Sequence, residues 1–425
     1  MSRIKFVNDL NSYDNKRIKI IVLIADVMFF FTLALVLFTR HLEATLWPST
    51  YEFAEKIRVQ LRLFYDTHLV SVLIFCAVVK LIYNKSIVRG IFFVFIYLVG
   101  INIKNTHDTY QYILIAILFI IAASMIDAKK ILVLYLVVDS FVLILTLAGA
   151  FSGKLDNIIE LGRNREYLGF LWTTTPVMLF SYITFTLIVL KKGKINIKEY
   201  IVLNLINICF FIFTDTRFAF LIVFLTLFLV FFLNKQIEEL FKFNISKYVA
   251  VLFPWLAFGF IYIITIMYNE KNLFFLKLNN ILSNRLRQCK FAINKYGISL
   301  YGQNISWITT TRGIVEEPAT YVDSAYLQFL LKFGWLFTVI ILFMFSYLIY
   351  KAYNAKIYYL IVVLIFVLAF GLTEQQPFVL EYDMFLLFVF SNIEGLKDKT
   401  NHSLCCYRFN KKNLKYRLKG YELSL

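Results

Sequence analysis

The sequence predicts an all-α integral membrane protein, with about twelve transmembrane helices and one large outer loop that contains an amphipathic helix. Three observations predict it. First, 60% of the 425 residues are hydrophobic and only 17% are charged, whereas a soluble domain carries about 45–50% apolar and about 25% charged residues. Second, the apolar residues are gathered into runs of helical, membrane-spanning length. Third, the basic residues segregate between alternate connecting segments. This composition excludes a soluble enzyme, a disordered chain and a secreted disulfide scaffold. The formal net charge of +17 marks topology before it marks nucleic acid, which is not an expected partner.

The first apolar run is 18–38. It is followed by Arg40 with no small-residue cleavage site, so it reads as a retained helix and not as a signal peptide. Further runs occupy 69–83, 87–103, 110–126, 131–151, 168–190, 200–213, 218–233, 248–268, 327–350, 357–373 and 377–394. Asn84-Lys85-Ser86 separates the second run from the third, and Thr214-Asp215-Thr216-Arg217 separates the seventh from the eighth. The polytopic domain therefore covers 1–394, with its large outer loop at 269–326 between spans nine and ten. A basic cytoplasmic tail, 395–425, suits the anionic inner leaflet. Lys191, Lys192, Lys194 and Lys198 in one short loop, and the basic tail, place both termini inside by the positive-inside rule.

Cysteine supplies neither a disulfide frame nor a zinc pattern: Cys76 and Cys209 fall in spans, Cys289 in the outer loop, and Cys405-Cys406 in the tail. No Gly-Lys-Ser/Thr phosphate loop is present. His41, His68 and His107 lack helical i,i+4 pairing, and no metal or cofactor is expected. Asp26 and Asp139 fall within spans, where an ionisable group is a functional candidate; a neutral acid bonded to an Asn or Tyr of another helix is the alternative.

The outer face collects arginine. Nine of the fourteen lie there by this topology: Arg40, Arg58, Arg62, Arg163, Arg165, Arg217, Arg285, Arg287 and Arg312. A rigid guanidinium fork suits phosphate and carboxylate, whereas lysine serves as a point charge. In the large loop, Leu278, Leu282, Leu286, Cys289, Ile293 and Tyr296 form one helical apolar stripe. Arg287, Lys290, Asn284 and Lys295 point away from it, but Arg285 falls at its seam with the bundle. Arg217 occupies a four-residue turn with Asp215 two positions earlier, so an ion pair within the hairpin is its simplest structural reading. Arg163 and Arg165 precede Gly169 in a third outer segment.

Arginines converging on an outer cavity suit a lipid-linked pyrophosphate, whose tail lies in the bilayer and whose head is anionic at the interface. Guanidinium groups would stabilise charge on a departing pyrophosphate. An attacking sugar hydroxyl would need a base, for which Asp323, Glu316, Glu317 and Asp215 are the carboxylates at hand.

Three stretches resemble Wzy-type polysaccharide polymerases of the wider O-antigen polymerase/ligase superfamily. Arg165-Glu-Tyr-Leu-Gly169-Phe170 is similar to an arginine-then-Gly-Phe motif opening a span. Thr214-Asp-Thr-Arg217 is similar to a Ser/Thr-Arg turn between helices. Ser283-Asn-Arg285, with Tyr296-Gly297, Tyr301-Gly302, Asp323-Ser-Ala-Tyr326 and Phe333-Gly334, is similar to the large loop and the span after it. Two departures stand out: Leu-Trp-Thr-Thr-Thr-Pro176 replaces a His-Pro-Asn-like stretch, and Asn284 replaces the Gly of Ser-Gly-Arg.

The resemblance implies a glycosyltransferase of the bacterial cytoplasmic (inner) membrane that joins undecaprenyl-pyrophosphate-linked oligosaccharides for capsule, exopolysaccharide or O-antigen. By this resemblance Arg165, Arg217 and Arg285 would bind pyrophosphate; the residues themselves add Arg163 on the same side as a further candidate, and Asp323 is the candidate base among the four carboxylates. A flippase and a chain-length regulator of the same pathway would be partners, beside membrane lipids. A lipid-linked oligosaccharide flippase, or an O-antigen ligase with a different acceptor, are the alternative functions.

Overall fold

A computed structural model of the protein describes residues 2–84, 90, 109–160, 164–307 and 320–397. The first part comprises α1 (Ser2–Glu43), the short α2 (Trp47–Thr50), α3 (Glu52–Thr67), α4 (Leu69–Asn84), α5 (Thr109–Ala122) and α6 (Ala128–Phe151). A two-residue antiparallel hairpin, β1 (Ile159–Glu160) and β2 (Arg165–Glu166), precedes α7 (Thr175–Leu190). Then come α8 (Ile197–Thr214), α9 (Arg217–Phe232), α10 (Asn234–Leu240), α11 (Asn244–Met267), α12 (Leu273–Ile281), α13 (Arg285–Tyr296), α14 (Ala325–Asn354) and α15 (Tyr358–Phe370).

Among the described residues, five helices are long and apolar enough to cross a membrane: the Lys19–Glu43 part of α1, α6, α8, α11 and α14. The bent pairs α3–α4 and α9–α10, turned by 50° and 85°, raise that to seven. The chain is therefore a helical protein with the helices of a multi-pass membrane protein. Twelve full-length spans are not seen among the described residues. The apolar α5, α7 and α15 have only 14, 16 and 13 residues. At 1.5 Å per residue they reach about 20–24 Å, short of a hydrocarbon core of about 30 Å. Burial explains why α7 and α15 are apolar on every side: α7 packs on α6, α8, α9 and α15, and α15 also meets α11 and α14. The run 87–103 lies outside the described residues.

The last apolar run, 377–394, is not a helical span. Pro377 opens a segment of three short 3₁₀ turns (Gln376–Phe378, Met384–Val389 and Glu394–Leu396), most of it buried against α5, α6, α14 and α15. Backbone without a helical ladder needs other partners once buried. Tyr135 donates to the carbonyl of Leu380 at 2.6 Å, and Lys351 Nζ reaches those of Phe388, Val389 and Ser391 at 2.8, 3.2 and 2.6 Å. Asp383 accepts from the amide of Phe385 at 2.9 Å. Apolarity in this run reports burial inside protein, and protein donors replace a helix's own.

The intramembrane acids also differ from expectation. Asp26 of α1 pairs with the buried Lys80 of α4, and Asp139 of α6 lies 3.0 Å from His41 Nε2, both groups fully buried. Each acid meets a nitrogen base, not an Asn or a Tyr. α3, an outer connection in the sequence reading, is an amphipathic helix that exposes Phe53, Ile57 and Leu63 beside its charges. That pattern suits a membrane surface.

One end of the bundle collects the predicted outer segments. There Leu46 N bonds Gly169 O at 2.9 Å, Leu171 N bonds Ala44 O at 2.9 Å, and Arg165 reaches Thr214. At the opposite end Ala128 N bonds Asn392 O at 2.9 Å and Lys192 Nζ bonds Lys397 O at 2.6 Å. The large loop is fastened to the first of these ends by two glycines. Gly334 breaks α14 at φ 79°, ψ −179°, a conformation open essentially to glycine. The break frees Trp335 N and Leu336 N, which bond Ser299 O and Leu300 O at 3.2 and 3.1 Å. A Cβ on Gly334 would stand 2.4 Å from Gly302 N, and one on Gly302 would stand 2.3 Å from Lys332 O.

Gly334→Ala is therefore expected to detach the loop from α14. The strain alone costs about 1–3 kcal/mol, to be read as a lowered thermal midpoint of the detergent-solubilised protein. Proteolysis within 269–326 is expected to accelerate, and an unchanged midpoint and digestion pattern would contradict this packing.

Candidate functional site

Arg285 begins where the outer-loop helix breaks. The apolar stripe runs over two helices, α12 and α13, because Ser283 and Asn284 adopt left-handed backbone, φ 54° and 67°. Asn tolerates that region better than most residues, which explains how Asn284 stands where glycine is the other solution. The buried Asn279 staples the turn: its Oδ1 accepts from Arg287 N at 3.0 Å and its Nδ2 donates to Asn284 Oδ1 at 2.9 Å. Leu286, Cys289 and Ile293 are buried beneath α13. Burial pushes the Cys289 thiol up to about 12, Asp323 adding to it, which leaves the sulfur a neutral packing atom.

At the seam, Arg285 spreads its guanidinium between two carboxylates. Nε donates to Asp323 Oδ2 and Nη2 to Glu374 Oε1, both at 2.9 Å. The side chains of Arg285, Asp323 and Glu374 are 24%, 31% and 9% exposed. Burial opposes the charge on Arg285, but Glu374 and Asp323 outweigh it and raise its pKa above the ordinary value. Glu374 is raised as well: burial is the largest cause and Asp323 adds to it, while Arg285 and then Arg165 work in the opposite direction. Backbone bonds hold the two acids together, since Ala325 N donates to both Gly371 O and Glu374 O, at 2.9 and 3.2 Å. The hydroxyl pKa of nearby Tyr321 is raised by burial and by Asp323.

Glu374 escaped the sequence reading. It stands in the three-residue gap between the runs 357–373 and 377–394, and such a lone polar gap is the signal that could have marked it.

Arg165 joins the same field. The β1–β2 hairpin aims it at the end of α8, where Nε donates to Thr214 O at 2.7 Å and so satisfies a terminal helix carbonyl. Its Nη1 is 3.5 Å from Glu160 Oε2. Through Glu374 the charges of Arg165 and Arg285 act on one carboxylate. Arg217 is not drawn in by contact: its side chain is 80% exposed and bonds Asp215 at 3.0 and 3.2 Å. Asp215, left-handed at φ 46°, caps α8, so this pair secures the hairpin and occupies one of the four possible bases. Arg163, Arg312, Glu316 and Glu317 lie outside the described residues.

A second polar network adjoins along the 371–383 segment. Glu381 accepts from Arg40 Nε at 2.7 Å and also bonds Tyr112, while Arg40 reaches Glu43 at 3.2 Å. Arg40 and Arg62 lie over the ring of Tyr65 at 5.6 and 5.2 Å. Among the described residues no group of His, Cys, Asp and Glu is arranged to hold a metal ion.

The Arg285 fork has a definite chemical capacity. A diphosphate, like a carboxylate, can accept paired guanidinium bonds and carries more charge, so it can take guanidinium donors from Glu374 and leave a basic, largely desolvated carboxylate beside it.

A carboxyl whose pKa rises on folding stabilises the fold fully below its unfolded pKa, and that contribution disappears as pH rises through the raised value. Relative to Glu374→Gln, the wild type is expected to lose thermal stability as pH climbs from the ordinary glutamate range through that window. A difference in melting temperature that stays flat with pH would mean that Glu374 ionises like an exposed glutamate.

Compared with known protein families, curated proteins and solved structures, the chain matches none.

Proposed function

We propose that the chain is a membrane glycosyltransferase that polymerises undecaprenyl-pyrophosphate-linked oligosaccharide repeat units at the outer face of a bacterial cell membrane. The product would be a capsule, exopolysaccharide or O-antigen. The observation that supports this best is the fork of Arg285 between Asp323 and Glu374. In this reading a cation for a leaving diphosphate stands beside a carboxylate with raised proton affinity, at the end of the bundle that gathers the arginine-rich segments.

In this reading the acceptor sugar's hydroxyl oxygen bonds to the anomeric carbon of the growing chain. The bond from that carbon to the pyrophosphate oxygen breaks with its electron pair, and undecaprenyl pyrophosphate departs. Arg285 and Arg165 stabilise the diphosphate charge, and the hydroxyl proton passes to a carboxylate. Burial favours Glu374 over Asp323 for that role, because a base with a raised pKa takes a proton more readily near neutral pH. Asp323 then orients Arg285 through Nε. The substrate arrives already activated, so no ATP is required outside the membrane. Both termini are cytoplasmic in this reading, and a flippase and a chain-length regulator supply and limit the substrate.

In cells, Arg285→Ala is expected to leave single repeat units on the surface in place of long polymer. Arg217→Ala is expected to retain more polymer, because its guanidinium is exposed and paired locally. Repeat units trapped on the cytoplasmic side would favour a flippase, and wild-type chain lengths in Arg285→Ala would overturn the proposed role of the fork.

A further inference from the structure

A cavity of about 910 Å³ lies between the outer end of α11 and the face of α13 turned away from Arg285. This is the upper range of small-molecule sites, about 300–1,000 Å³. Its α13 wall is a helical stripe of Asn284, Arg287, Gln288, Phe291 and Asn294, and its other wall is the turn 266–271. Two contacts tie the walls together: Arg287 Nε meets Glu270 Oε1 at 3.0 Å, and Lys290 Nζ donates to Ile266 O at 2.6 Å.

The lining chemistry selects a ligand class. A phosphate needs donors and repels carboxylate. Here Glu270 neutralises Arg287, Lys290 is engaged on the end of α11, and the remaining cation, Lys271, stands on the opposite wall away from the α13 stripe. What the stripe leaves open is amide: the side chains of Gln288 and Asn294 make no hydrogen bond among the described residues. Each amide offers two donors and an acceptor in one plane, which matches hydroxyls that donate and accept alike. The ring of Phe291, 37% exposed, adds a flat apolar face between them. Alternating donor–acceptor groups around one aromatic face suit a neutral polyol, and Asn284 leads from this cavity directly to Arg285.

We propose that this groove is an oligosaccharide-binding cleft that holds sugar residues of the repeat unit whose diphosphate sits at Arg285. The assignment rests on the polymerase reading for the identity of the sugar, while the cleft itself is defined by its own lining. It divides recognition between the two faces of α13, charge on the seam and hydroxyls on the outer side.

The test uses the full chain in lipid nanodiscs and the free repeat-unit oligosaccharide, without lipid or phosphate, prepared from the producing cells' own polysaccharide. Saturation-transfer NMR is expected to show binding to the wild type. Binding should weaken at least tenfold in Gln288→Ala/Asn294→Ala and in Phe291→Ala, and persist in Arg285→Lys. In cells the groove variants are expected to make shorter polymer, not none. Failure of the wild type to bind, equal binding by the groove variants, or competition by phosphatidylglycerol in place of sugar would each overturn the cleft. Loss of polymer in Arg285→Ala together with unaltered groove variants would overturn the cleft alone. Wild-type polymer in Arg285→Ala with sugar binding retained would overturn the polymerase reading and leave a sugar-binding surface standing.

Discussion

The guanidinium of Arg285 joins three stretches that are remote in sequence: the start of α13 in the outer loop, Asp323 just before α14, and Glu374 just after α15. Breaking a buried pair by removing one partner leaves an uncompensated charge and costs about 3–5 kcal/mol; the half-wet geometry of this fork sets it below that range. Much of this end of the bundle is arranged to keep the fork in place. The left-handed turn at Ser283–Asn284 directs Arg285 inward, Asn279 locks that turn, and the paired glycines 302 and 334 hold the loop against α14. The two carboxylates in turn are fixed by the bonds of Ala325 N to Gly371 and Glu374. A charge cluster of this kind is weak evidence for stability.

The membrane body solves a different problem, that of burying a chain segment without helical geometry. The 376–396 segment threads among α5, α6, α14 and α15 with its carbonyls answered by Tyr135, Lys351 and Tyr359. Lys351 is therefore a structural cation that binds three carbonyls of this segment. The same economy holds at Lys80–Asp26 and His41–Asp139, where buried polar groups answer each other across helices. Because this segment follows Glu374 directly and carries Glu381 near its start, its packing helps determine where those two acids face.

Much of the helical plan was legible in the sequence. The Thr214–Arg217 break, the amphipathic outer helix and the seam position of Arg285 all followed from periodicity and turn residues. The last run was misread because apolarity measures removal from water, not the secondary structure that achieves it. α3 was passed over because its apolar face is interrupted by charge at every turn. Glu374 was missed because its partner lies 89 residues away, and no local spacing reports a contact closed by tertiary packing. Arg217 shows the reverse: a prominent position in the sequence whose side chain the fold turns outward onto its own neighbour, Asp215.

In the proposed function Arg285 is shared between protein carboxylate and ligand diphosphate. Calorimetric titration of the nanodisc-embedded protein with geranyl pyrophosphate, a short-chain lipid diphosphate, tests it most directly. Removing the competing carboxylate charge in Glu374→Gln should tighten binding severalfold, while Arg285→Ala should weaken it at least tenfold. Binding that is weakened or unchanged in Glu374→Gln would contradict the exchange.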